Sequence, residues 1–327
     1  MQVVLVAGGA GFIGSHLCGQ LLNKGYQVIC VDNFITSNKK NINYLLQNPN
    51  FKFIEFDITK DISTLNSLAS LRSGQLSTLN CIFHLASPAS PNKKSPRSYI
   101  NFPIETLLAN SMGTHQLLEL AKKFSSKFLF ASTSEIYGDP AVSPQNEEYF
   151  GNVNPNGIRS VYDEAKRFGE AITMGYVRKY NLDARIIRIF NTYGPKMQVD
   201  DGRVVSNFIN QAIKNEKITI YGKGLQTRSF CYISDMISGI MKAMFKDGTK
   251  GEVINLGNTD ERKISELATM IKEMTNSASE IAYEDLPEDD PKERKPDISK
   301  AKRILDWEPS VLLEDGLKKT IEYFKSL

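Results

Sequence analysis

Three glycines, Gly8, Gly11 and Gly14, stand between an apolar run, Val3–Ala7, and a helix-patterned stretch, 12–24, and this arrangement leaves few folds open. Missing side chains let a backbone turn tightly and approach a diphosphate. The helix that follows offers unpaired N–H groups and the positive end of its dipole. A turn that merely links strand to helix has the same composition. The two are separated by Asp32, in Cys30-Val-Asp-Asn33 at the end of the second apolar run. It lies about twenty residues beyond the glycines, where a carboxylate reaches both ribose hydroxyls of a dinucleotide. Such a carboxylate repels a 2′-phosphate, so NAD is favoured over NADP; Lys39 and Lys40, which argue the other way, are expected to face solvent.

The first half of the chain continues the strand-then-helix rhythm. Apolar runs at 27–31, 51–56, 81–85, 128–131 and 184–190 alternate with helical patterns, among them 104–123 and 160–180. Near-continuous apolar strands are expected where helices cover both faces of a parallel sheet. The fold class expected is α/β, a doubly wound parallel sheet of the Rossmann type with a smaller α/β substrate-binding lobe. After Asn191 the texture changes, with turn residues over 192–202 and dense charge and proline over 285–296. Residues 1–191 are assigned to the dinucleotide lobe, joined by about 229–260, where 234–245 reads as a helix and 253–256 as a buried strand; 192–327 is mainly the second lobe.

At 327 residues and 41% hydrophobic content the chain is long enough for both lobes. A net charge of +3 supplies no field that would draw it to nucleic acid or an anionic membrane, so anion recognition has to be local. Cys18, Cys30, Cys81 and Cys231 lack the spacings of zinc sites and suit a reducing, cytoplasmic location. His16, His84 and His115 are dispersed in apolar or helical runs, where packed rings are expected, and no metal site is assigned. No apolar window approaches the ~20 residues of a membrane span, and the N-terminus enters a strand without the segments of an export leader.

Tyr162 and Lys166, in Val161-Tyr-Asp-Glu-Ala-Lys166, stand four apart on an expected helix and share a face. An ammonium beside a tyrosine favours the phenolate and brings the hydroxyl towards a pKa useful for taking a proton from a sugar hydroxyl. Alone the pair is commonly an exposed helical contact; with the glycine loop upstream it points to catalysis.

With this loop and this pair the chain resembles the extended short-chain dehydrogenase/reductase family. More narrowly it resembles the UDP-glucuronate decarboxylase branch, through 84–91 (His84-Leu-Ala-Ser-Pro-Ala-Ser-Pro91), 132–140, 201–208 and 289–297. The resemblance implies that Thr133 joins Tyr162 at the sugar C4 oxygen and that Lys166 positions Tyr162 and the nicotinamide ribose. It places Gly8, Gly11, Phe12, Ile13, Gly14, Asp32, Asn33, Asp57, Ile58, Ala86, Ser87 and Asn110 around the cofactor. Pro88, Asn191, Arg203, Tyr221, Gln226, Arg228 and Arg294 are placed around the nucleotide sugar, the arginines at its diphosphate, which a planar guanidinium suits.

Dehydratases of the family carry an aspartic acid at the position of Ser134, where it protonates a departing C6 hydroxyl; serine is no acid. The resemblance thus implies UDP-glucuronate as substrate and UDP-xylose as product. C4 is oxidised, the resulting β-keto acid loses carbon dioxide, C5 is protonated with Glu135 acting directly or through water, and C4 is reduced again. A 4,6-dehydratase, a 4-epimerase and a catalytically dead NAD-sensing protein remain as other readings. A homodimer is expected, because 104–123 and 160–180 carry more apolar surface than one sheet face covers and because family members pair these helices.

Overall fold

The protein is described by a computed structural model covering residues 1–63, 78–286 and 293–327; of the segment 289–297, residues 289–292 lie outside the described residues. In chain order the strands are β1 (Val3–Ala7), β2 (Gln27–Asp32), β3 (Phe51–Glu55), β4 (Cys81–His84), β5 (Lys127–Thr133), β6 (Ala184–Ile189) and β7 (Thr192–Tyr193). They continue as β8 (Ile218–Tyr221), β9 (Thr227–Ser229), β10 (Cys231–Tyr232), β11 (Val253–Leu256), β12 (Glu261–Lys263), β13 (Ile281–Glu284) and β14 (Glu293–Arg294). The helices are α1 (Phe12–Asn23), α2 (Pro103–Leu108), α3 (Thr114–Phe124), α4 (Ser160–Tyr180), α5 (Val204–Ile213), α6 (Ile233–Phe245), α7 (Ile264–Thr275) and α8 (Leu313–Lys325).

Seven strands form one parallel sheet in the order β11-β6-β5-β4-β1-β2-β3. Val4, Leu5, Val6 and Ala7 are fully buried because helices lie on both sides: Val4 and Val6 pack with Leu17 and Met244 on one face, Leu5 and Ala7 with Leu117 and Phe128 on the other. Each such side chain contributes ~1.5–3 kcal/mol relative to exposure, which is why period-two alternation is absent from the strand sequences. The small sheets β12-β9-β14 and β13-β8 lie beyond β7 and carry the far wall of the cleft described below.

Two expectations fail locally. The helix expected over 104–123 is interrupted by a π turn at Ala109–Gly113, where Asn110 is drawn inward to donate to Ser87 Oγ at 2.8 Å and Gly113 leaves room for the Ile58 side chain. His16 and His84 pack inside, but His115 is exposed on α3 with its ring 6.2 Å from that of Tyr176, because the helix turns that position away from the sheet. Lys39 and Lys40 are exposed, as expected. Among the described residues no helix is long and apolar enough to cross a membrane, and no cluster of three His, Cys, Asp or Glu side chains is placed to hold a metal ion.

Candidate active site

Strand order reverses between β1 and β4, and the carboxyl ends of these strands open the crevice in which open α/β sheets bind ligands. Gly8 sits there at φ +80°; a Cβ would lie 2.6 Å from the backbone nitrogen of Ala86, so glycine alone lets the two strand ends close up. A Cβ on Gly14 would meet the Gly8 carbonyl at 2.1 Å. Gly11 caps α1 without a side-chain hydrogen bond, which leaves the first-turn amides at Phe12, Ile13 and Gly14 to an anion. These features fit a dinucleotide diphosphate.

Asp32 stands at the end of β2, where a ribose is expected. Asp32 is buried and already committed: Oδ2 accepts from the Ala10 N–H at 2.9 Å, and Oδ1 from the Phe34 N–H at 2.9 Å and the Ser37 hydroxyl at 2.6 Å. Thr36 and Ser37 line the cleft beside it. Asn33 is exposed and accepts from the Ile35 N–H. Asp57 caps its own turn, accepting from the Thr59 N–H and hydroxyl, and Ile58 is buried. Ala86, Pro88 and Asn110 stand behind the wall that Ser87 lines; Asn110 Oδ1 is buried without a hydrogen-bond partner.

A cleft of about 840 Å³ extends from the glycine loop past β5 to the small sheets, within the ~300–1,000 Å³ of ligand sites. Thr133 ends β5 and accepts from the Glu135 N–H at 3.2 Å, which leaves its own hydrogen free to favour the Tyr162 phenolate. Gly169 lets α4 approach β5 closely, since a Cβ would lie 2.2 Å from the Phe130 ring, and Lys166 Nζ then reaches the Ala131 carbonyl at 2.8 Å. Lys166 Nζ also lies 5.8 Å from the centroid of the Tyr162 ring. Burial raises the Tyr162 pKa above its ordinary value and outweighs the Thr133 hydrogen bond, while burial lowers Lys166 to about 7.

Glu135 lies between two guanidiniums, bonded to Arg159 through Oε2 and ion-paired with Arg294 through Oε1 at 3.3 Å. Burial opposes its ionisation, but Arg159 and Arg294 prevail and hold its pKa near about 2. It is therefore a carboxylate at neutral pH and no proton donor. Ser134 is buried in the wall beside it.

On the far wall stand Asn191, Arg203, Tyr221, Gln226 and Arg228. Arg203 is chelated by Asp201 at 2.5 and 2.7 Å, and Gln226 donates to the Tyr221 carbonyl at 2.8 Å. Pairing of β12, β9 and β14 sets Arg262, Arg228 and Arg294 in one row across three strands. Like charges side by side are unfavourable unless anions join them, and Asp260 serves Arg262 while Glu135 serves Arg294.

Three residues that sequence reasoning missed belong to this cluster. Tyr99 stacks on Tyr162, centroids 4.9 Å apart and planes 5° apart, and Arg159 and Asp163 flank Glu135 electrostatically. Arg159, three residues before Tyr162, could have been found from helical spacing; nothing in the sequence around Tyr99 announces it.

Sheet, glycine loop and the Thr133, Tyr162, Lys166 set together define a short-chain dehydrogenase/reductase of the extended type. The chain belongs to the family described as GDP-mannose 4,6 dehydratase, whose model matches residues 5–320. It is 45% identical over 322 residues to UDP-glucuronic acid decarboxylase 1 of Xenopus tropicalis, covering 98% of this chain and 72% of that one. It is 47% identical over 322 residues to UDP-glucuronic acid decarboxylase 4 of Arabidopsis thaliana, covering 98% and 68%. Among solved structures, UDP-glucuronic acid 4-epimerase from Bacillus cereus in complex with UDP-glucuronic acid and NAD superposes with a TM-score of 0.86 at 32% identity, covering 99% of both chains.

Proposed function

We propose that this chain converts UDP-glucuronate to UDP-xylose and carbon dioxide with NAD retained through the cycle, in a reducing compartment such as the cytoplasm, which its four free cysteines suit. The observation that carries the reading is the end of β5. Ser134 stands where elimination of a C6 hydroxyl needs an acid, and Glu135 beside it is held ionised by Arg159 and Arg294. Neither can protonate a departing hydroxyl, whereas a carboxylate at C6 finds guanidiniums.

The glycine loop, Ser87 and Lys166 would hold the dinucleotide, which when bound supplies a hydride acceptor that is restored each turnover. Tyr162 takes the C4 hydroxyl proton; the Thr133 hydroxyl favours its phenolate and Arg203 acts in the same direction. Once C4 is a ketone, the C5–C6 bond breaks and its electron pair moves onto the C4 oxygen, where the Thr133 and Tyr162 hydroxyls stabilise the enolate. Protonation at C5, then return of the hydride to C4 together with the Tyr162 proton to the C4 oxygen, would complete the sugar. Arg228, Gln226, Tyr221 and Asn191 are assigned to the nucleotide and its diphosphate.

Nuclear magnetic resonance of products from purified protein and UDP-glucuronate tests this. UDP-xylose is expected. UDP-galacturonate, or a 4-keto-6-deoxy sugar made from dTDP-glucose with UDP-glucuronate untouched, would replace the reading with an epimerase or a dehydratase.

A further inference from the structure

One dinucleotide has to serve both the oxidation and the re-reduction at C4, so it must stay bound while sugars enter and leave the same cleft. The segment after β2 is where the cofactor ribose is expected, and Thr36 and Ser37 line the cleft there. This segment needs anchoring, because Phe34 holds a positive φ of 59°, which is costly for a bulky side chain. Asp32 secures it from the β2 side, through the Phe34 N–H and the Ser37 hydroxyl. A second anchor comes from the loop between Ser90 and Ser98, pinched at its base where Ser98 Oγ and the Tyr99 N–H both donate to the Ser90 carbonyl at 3.0 Å. From this loop Arg97 lines the cleft and reaches in two directions. Its Nη1 donates to the Thr36 carbonyl at 2.9 Å and its Nε to Asp200 Oδ1 at 2.7 Å. The segment before α5 that carries Asp200 is fitted to the same loop. Ser95 Oγ donates to the Asp200 carbonyl, and a Cβ on Gly202, at φ +86°, would lie 2.8 Å from the Asn92 Cβ.

Resting on the reaction proposed above, we infer that Arg97 is a clasp that keeps the dinucleotide in the cleft between turnovers, by tying the ribose-side segment at Thr36 to the segment before α5. A guanidinium suits this task. Its planar fork presents N–H groups in two directions at once, so one side chain bonds a carbonyl and a carboxylate without rotating. Asp200 offsets its charge and fixes its orientation. Arg97 is a positioning residue, acting on the dinucleotide through the Thr36 segment. A partly exposed ion pair adds little to overall stability, so its loss should show in cofactor release before it shows in folding.

Protein loaded with the reduced dinucleotide and chased with excess NAD, followed by nicotinamide fluorescence, reads the release rate with no sugar present. Arg97→Ala should release at least ~10-fold faster, the change expected when a hydrogen bond to a charged group is lost, with thermal unfolding little changed. Asp200→Asn should speed release as well, and the double variant should be no faster than Arg97→Ala alone, since both cut one tie. Lys94→Ala, in the same loop, breaks the exposed ion pair with Glu284 and leaves both Arg97 bonds, so it should release like wild type. In turnover, Arg97→Ala should lose activity after gel filtration and regain the wild-type kcat when NAD is added, which a distorted active site would not do. Release from Arg97→Ala at the wild-type rate overturns the proposal. So does Lys94→Ala releasing as fast as Arg97→Ala, or lost activity that added NAD does not restore. Wild-type protein that makes no carbon dioxide from UDP-glucuronate would instead remove the reaction on which the proposal rests, an outcome the sugar-free release rates do not share.

Discussion

At the scale of single residues, burial decides the chemistry more than sequence neighbours do. The four-residue spacing puts Tyr162 and Lys166 on one face of α4, and they do share it, yet Lys166 Nζ donates to the Ala131 carbonyl and burial raises the Tyr162 pKa. Thr133 is the group placed to favour the phenolate. It can do so because its oxygen is occupied by the Glu135 N–H and its hydrogen is not. Tyr162→Phe removes the acid–base group while leaving the ring stacked on Tyr99. It should lose at least ~10²-fold in turnover, and calorimetry should show NAD and UDP still binding. Near-normal turnover would take Tyr162 out of the mechanism.

At the scale of elements, three helical segments leave an apolar face uncovered. α2, the π turn and α4 expose Ile104 (60%), Met112 (47%) and Phe168 (49%) on the side away from the sheet, together with Leu107, Leu108 and Tyr180. We propose that two copies pair through these helices; light scattering should give a dimer, and Phe168→Glu should shift it towards monomer. A wild-type monomer at working concentration would refute the pairing. Strands and long helices were legible because burial on both faces writes an unbroken apolar run, and α4 runs over the residues its periodicity indicates. The break at Ala109–Gly113 was not legible, since it depends on Asn110 meeting Ser87, which is 23 residues away in sequence. Asp163 and Tyr99 escaped notice for the same reason, as an aspartate in a first helical turn and a tyrosine in a loop join the site only through what the fold packs against them.

At the scale of the whole molecule, one buried network ties the catalytic helix to the segment that follows β14. Glu170, on the Tyr162 and Lys166 face of α4, accepts from Ser132 of β5 at 2.6 Å and from both ends of the Arg188 guanidinium of β6. Arg188 donates on to Tyr137, Tyr137 to Asn255 of β11, and Asn255 to the carbonyls of Gln145 and Asp297. A charged pair this deep adds little net stability when intact, but losing one partner costs ~3–5 kcal/mol. Its placement keeps Glu135 and Arg294 in register with Tyr162. On the proposed reaction the sugar is oxidised, decarboxylated and reduced in one cleft. Turnover of UDP-glucuronate in deuterated water, read by nuclear magnetic resonance alongside nicotinamide absorbance, tests this account most directly. The xylose should carry deuterium at C5 in one stereochemical position and substrate hydrogen at C4, with no stoichiometric build-up of reduced cofactor; solvent deuterium at C4, or a product that keeps its sixth carbon, would contradict it.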